Sequence, residues 1–189
     1  EVTEMRNECW RGEPNPVNLS ISAVKSRSGA TAKGHAAPTV STIAHPDYAP
    51  LPSHASAPSF AAVYCVHDDH TWLAESVESI YPCCAAIYVL VSERPWQGEP
   101  GDYKSTLELV RGLPDPECKI RLVQGTWNTE ADQRNAGLAM LSEAGHQYCL
   151  VIDADEVYDT TDLHRMMTLA RNNSQVDCWH AAMDTYWKS

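Results

Sequence analysis

The densest chemistry in this chain sits at Asp153, Ala154, Asp155 and Glu156, directly after the apolar run Tyr148 to Ile152. A short β-branched run bounded by polar residues reads as a buried strand. In extended backbone, side chains two apart share a side, so Asp153 and Asp155 are expected to converge while Ala154 turns away. Two carboxylates brought that close repel unless something cationic lies between them. A hard divalent ion such as Mg²⁺ suits them, because it takes oxygen ligands and usually shares them with substrate phosphates. Glu156, next along the chain, is expected on the opposite side, in a structural role. The competing reading is a solvated acidic loop after a core strand.

A second polar cluster, His67-Asp68-Asp69-His70, follows the apolar run Ala61 to Val66. Two His flanking two Asp, without further spaced ligands, make a weak metal signal. Asp68 and Asp69 are the residue type that caps a following helix. A metal-dependent phosphoesterase built on these two clusters would need His67 or His70 within reach of Asp153.

The elements that must position these groups alternate. Strands are predicted at 61–66, 85–91, 120–123, 148–152 and 176–186, and helices at 71–81, 103–111, 130–144 and 161–172. Trp72, Leu73, Val77 and Ile80 share one face of the first helix. Thr129 is the expected N-cap of the third and Gly145 its stop. The order β-α-β-α-β-α-β-α-β with short joins implies an α/β three-layer sandwich with a mostly parallel, Rossmann-like sheet. Ligands of such sheets bind beyond the carboxyl ends of the strands. His67, Asp68, Asp69, Glu93, Asp153 and Asp155 would therefore gather along one rim. The tryptophans are read as core residues in the main, with Trp96 and Trp127 in loops at that rim.

The chain has 189 residues, 43% of them hydrophobic, and a net charge of −11. No basic run is present, which argues against nucleic acid as a partner. An acidic protein handling an anionic substrate needs a metal or a few placed arginines. The seven cysteines are odd in number, lie mostly in apolar runs and form no C-x-x-C. They read as reduced, buried small hydrophobes, and a cytoplasmic setting is expected. No apolar stretch is long enough to span a membrane. Residues 1–58 are rich in Pro, Ser and Ala without hydrophobic period, and are expected to be a disordered arm preceding a domain over 59–189.

Four pieces of that domain resemble the family 2 glycosyltransferases, which have the GT-A nucleotide-diphosphosugar-binding fold. They are AAVYCVHDDHTWLAESVESIY, IYVLVSE, TEADQRNAGLAML and YCLVIDADEVY, in that order. The resemblance implies a nucleotide-diphosphosugar donor, an acceptor of unspecified kind, and a divalent ion, Mn²⁺ or Mg²⁺, on Asp153 and Asp155 that bridges the donor's diphosphate. It further implies nucleotide contacts from His67, Asp68, Glu93, Arg134, Asn135 and Asp153. A lone helical Arg such as Arg134 is otherwise a surface residue. This chain departs from the family in having His67-Asp68-Asp69 after the first strand and only Ser92-Glu93 after the second. The family's base and acceptor site lie beyond the acidic motif, and the roughly thirty residues after Asp155 are fewer than that half requires. The chain is therefore expected to be a fragment, with no assigned base, and a non-catalytic nucleotide-binding module is a further reading.

Overall fold

The structure is a computed structural model that describes residues 3–5, 23–25 and 59–181. Its centre is a four-stranded parallel sheet: β3 (Phe60–Val66), β4 (Ala86–Ser92), β5 (Ile120–Gly125) and β6 (Tyr148–Ile152), in the order β6-β3-β4-β5. Four helices alternate with these strands: α1 (Leu73–Ile80), α2 (Tyr103–Gly112), α3 (Glu130–Glu143) and α4 (Thr160–Asn172). The α/β class and the parallel sheet expected from the alternation are thus observed.

Beyond β6 the sheet continues with β2 (Ala23–Lys25), antiparallel to β6, then β7 (Cys178–Ala181) and β1 (Thr3–Met5). Two three-residue pieces of the expected arm are thus strands of this edge, and the rest of residues 1–58 lies outside the described residues. The predicted strand over 176–186 is observed as β7, and its part beyond Ala181 is likewise outside them. The six cysteines among the described residues are free thiols. No helix among the described residues is long and apolar enough to cross a membrane.

Strands buried on both faces read as continuous apolar runs, because each parity of side chain needs its own cover. In β3, Phe60, Ala62, Tyr64 and Val66 pack with Leu73, Val77 and Ile80 of α1 and with residues of α2 and α4. The intervening Ala61 and Val63 face the other way, toward Leu141 of α3. One face of the sheet therefore carries α1, α2 and α4, and the opposite face carries α3.

The helix ends follow the capping rules. Thr129 caps α3, accepting the Asp132 N–H at 3.1 Å, and Asp159 caps α4, accepting from Thr161 and Asp162. Gly145 ends the α3 connection at φ +81°, a conformation a side chain would strain. At α1 the expectation fails. Trp72 is the N-cap residue and no side chain caps the helix. Asp69 instead accepts the His67 N–H at 2.8 Å and Asp68 lies 3.0 Å from His70 Nδ1. Both aspartates are held within their own turn, so neither reaches the helix.

The stripe of α3 that meets the sheet is Gln133, Gly137 and Leu141, one residue per turn. Gly137 lets the helix lie close on β3: a Cβ there would meet Val63 Cγ1 at 2.8 Å and Cγ2 at 3.2 Å. Alanine is favoured over glycine in a helix by about 1 kcal/mol, but overpacking a filled core costs about 1–3 kcal/mol. Gly137→Ala is therefore expected to lower stability by about 1 kcal/mol or more, read as a fall in Tm; an unchanged or higher Tm would show slack between α3 and β3.

Candidate functional site

The carboxyl ends of β3, β4 and β6 open on a cavity of about 530 Å³. The β3 end supplies His67, Asp68 and Asp69 to its lining, the loop after β4 supplies Trp96, and the turn after β6 supplies Asp153 and Asp155. Glu130 and Arg134 reach the same cavity from the first turns of α3. Polar residues scattered in sequence thus gather at the rim where a parallel sheet binds ligands.

After Asp153 the chain leaves the strand and turns at Ala154 and Asp155. Glu156 N–H donates to the Asp153 carbonyl at 3.1 Å, closing a turn over Asp153–Glu156. The convergence of Asp153 and Asp155 on one cavity is therefore a property of that turn rather than of strand alternation. The turn is held from inside by Glu156, whose Oε2 accepts the Asp153 N–H at 3.1 Å and the Tyr158 hydroxyl at 3.3 Å. At 6% exposure Glu156 belongs to the core, which is the structural role expected of it.

Arg134 is the guanidinium of the site. Its Nη2 lies 2.6 Å from Glu130 Oε1 and 3.0 Å from Asp153 Oδ1, joining α3 to the β6 turn. Five carboxylates line the cavity (Asp68, Asp69, Glu130, Asp153 and Asp155) against this one guanidinium. The Asp153 carboxyl is raised above its ordinary value, first by burial; Glu130 and Asp155 add to the rise and Arg134 opposes it. A group in that state gains from a further cation nearby. Asp153 and Asp155 are hard oxygen donors and fit Mn²⁺ or Mg²⁺ as a partial ligand set. Among the described residues, no three His, Cys, Asp or Glu side chains gather to hold a metal ion.

His67 lines the cavity, but both its ring nitrogens are taken. Nδ1 donates to the Ser92 carbonyl at 2.7 Å, which leaves Nε2 to accept the Gly101 N–H at 3.0 Å. Its visible work is to fasten the loop after β4. Gly101 approaches so closely that a Cβ would meet Asp68 Oδ2 at 2.5 Å. Glu93 is not in the cavity lining; its carboxylate accepts from Gln124 at 2.8 Å and Thr126 at 3.4 Å at the end of β5. Asn135 is exposed on α3 and also lies outside the lining. Of the residues named for nucleotide contact, the fold brings together His67, Asp68, Arg134 and Asp153, and leaves Glu93 and Asn135 apart.

Several lining residues lie outside those expected from the sequence, among them Trp72, Cys65 and Glu130. Trp72 was placed on the core face of a helix, yet it precedes α1, lies 49% exposed and faces the cavity. Its place between strand end and helix start is the signal that could have found it. Trp127 lies in the loop after β5 and is buried at 2%, a core residue as expected, its ring over Gly125. Cys65 also lines the cavity; burial pushes its thiol up to about 12, so it is no thiolate nucleophile. No family model matches the chain, and no curated protein is similar to it.

Burial pushes the Glu156 carboxyl up from 4.5 to about 7. The native state therefore keeps a proton that the unfolded state gives up, and the contribution of Glu156 to stability falls as pH rises from about 4.5 to about 7, then levels. Glu156→Gln keeps an oxygen acceptor for Asp153 N–H without the charge. It is expected to raise stability above pH 7 by about 1–3 kcal/mol and to remove the Glu156 part of the decline. Urea unfolding across pH in EDTA checks this, and a variant no more stable than the parent at pH 8 would contradict it.

Proposed function

We propose that the cavity binds the diphosphate of a nucleotide-sugar and that the chain carries the donor-binding half of a glycosyltransferase of the GT-A fold. The observation that carries this reading is the joint presence of Asp153 and Asp155 in one rim cavity with Arg134, at the carboxyl ends of a parallel sheet. The resemblance of the four sequence pieces to family 2 glycosyltransferases supports the same reading.

The electrostatics favour an anion only when a cation accompanies it. Five carboxylates around one guanidinium repel a bare diphosphate. Asp153 and Asp155 would hold Mn²⁺ or Mg²⁺ with the remaining positions left to phosphate oxygens, the usual arrangement for ions that keep few protein ligands. Such an ion, when bound, stabilises the negative charge that builds on a departing diphosphate.

The chain's own residues supply orientation. Arg134 offers a planar donor beside the paired aspartates, already steered by Glu130. Glu156 holds the Asp153 backbone and so fixes the direction of that carboxylate. Trp72 and Trp96 present indole rings to the cavity, surfaces on which a base or a sugar ring can stack. Holding the donor in this way lowers the entropic part of the barrier to transfer. A metal-dependent phosphoesterase is less well supported. His67 has both ring nitrogens engaged by backbone, and His70 is turned to Asp68.

Calorimetry of the full chain against a panel of nucleoside diphosphates, with and without Mn²⁺, tests the proposal. The expected result is metal-dependent binding that Asp153→Asn and Asp155→Asn each weaken at least about tenfold, or about 1.4 kcal/mol, with far-UV circular dichroism unchanged. Wild-type affinity in both variants would sink the assignment. Binding without release of sugar from a radiolabelled donor would select a non-catalytic module.

A further inference from the structure

We propose that Gln133 is a positioning residue that ties the loop after β4 to the sheet and so preforms the ligand cavity; this rests on the cavity being the nucleotide-sugar site. Gln133 is fully buried at 0% exposure, where an unsatisfied amide would be costly. Its Nε2 donates to the Leu90 carbonyl at 2.7 Å and the Val66 carbonyl at 3.4 Å, in the last turns of the pleat of β4 and β3. Its Oε1 accepts the Trp96 indole N–H at 2.7 Å. One side chain thus joins α3, two central strands and the loop that walls the cavity.

A glutamine serving the core alone would satisfy itself on the sheet. Half of this amide is spent on Trp96, a residue of the 93–102 loop whose other fastenings lie at its two ends, where Glu93 N–H donates to the Gly125 carbonyl at 2.8 Å. Ser92 Oγ donates to the Arg94 carbonyl at 2.6 Å at its start, and Gly101 N–H donates to His67 at 3.0 Å near its end. Between these, Gly98 adopts φ +81° and the chain turns back. Trp96 is the tie in the middle.

The position of Trp96 matters because its ring, with Gln97, Glu130 and Arg134, borders both the 530 Å³ cavity and a neighbouring one of about 600 Å³ at the start of α3. Arg134 follows Gln133 directly in α3, so the residue that fixes Trp96 also fixes the helical turn carrying the guanidinium. Loss of the Gln133 amide would free the wall on one side and loosen the register of Arg134 against Asp153 on the other.

Two variants test this in the full chain. Gln133→Met keeps the volume and removes the hydrogen bonds; Trp96→Phe removes the donor together with part of the ring that lines the cavity, so its effect on affinity is read against that of Q133M. In ¹⁵N-labelled protein the Trp96 indole resonance is identified by its loss in W96F. In Q133M its proton is expected to exchange with solvent at least about tenfold faster. With Mn²⁺, the affinity for the nucleoside diphosphate that binds best is expected to fall about tenfold in each variant, and the double variant to be no weaker than either alone, the mark of one shared interaction. Unchanged indole exchange in Q133M overturns the proposal, as does wild-type affinity in W96F and in Q133M. If Q133M does not fold, indole exchange in the unsubstituted chain decides: protection of the Trp96 proton supports the tie, and exchange at the rate of an exposed indole overturns it. If the unsubstituted chain binds no nucleoside diphosphate, the proposed function fails by that fact, and the indole exchange still decides whether Gln133 holds the loop.

Discussion

Negative charge crowded at the carboxyl edge of a parallel sheet is the constraint from which the rest of the site follows. Asp68, Asp69, Glu130, Asp153 and Asp155 share one cavity with a single guanidinium. Like charges gathered in one cavity are tolerated when each is held by donors or neutralised in part. Asp69 is held by the His67 N–H, Asp68 is turned to His70, and Asp153 and Glu130 share Arg134. Asp155 has no such tether among these contacts, which leaves it the most available carboxylate for a cation brought in with a ligand.

Holding these groups in place falls to buried polar residues rather than to the apolar core. Gln133 and Glu156 are both under 10% exposed, and each bonds a site residue by its backbone or ring. Buried amides and carboxyls interact in a medium that screens them less than water does, so they tolerate little misplacement. The apolar core, divided between the α3 face and the face of the other three helices, supplies the platform on which they act.

The elements were legible because their patterns are strong. Apolar runs with β-branched residues marked β3, β4 and β6, and Pro and Gly marked the breaks; the observed bounds differ from expectation by a residue or two at most ends. The capping residues Thr129 and Gly145 could be read in advance, since their chemistry is local. Trp72 was misplaced because a helix face was extended one residue past its true start. Gln133 went unnoticed because a polar residue within a helix looks like surface until something is seen to accept its bonds.

The amino-acid sequence by itself determined the alternation of strands and helices from β3 to β7, the parallel character of the central sheet and the set of polar residues that follow each of its strands, but not the edge strands β1 and β2. These depend on hydrophobic period and on backbone chemistry within a few residues, which neighbours along the chain decide. Tertiary structure alone decided that Glu93 is spent on β5 while Arg134 meets Asp153 across 19 positions, that His67 has no nitrogen to spare, and that Asp153 and Asp155 converge through a turn. The physical reason is that a side chain's partners are fixed by which loops fold over which strand ends, and no local pattern encodes that distance.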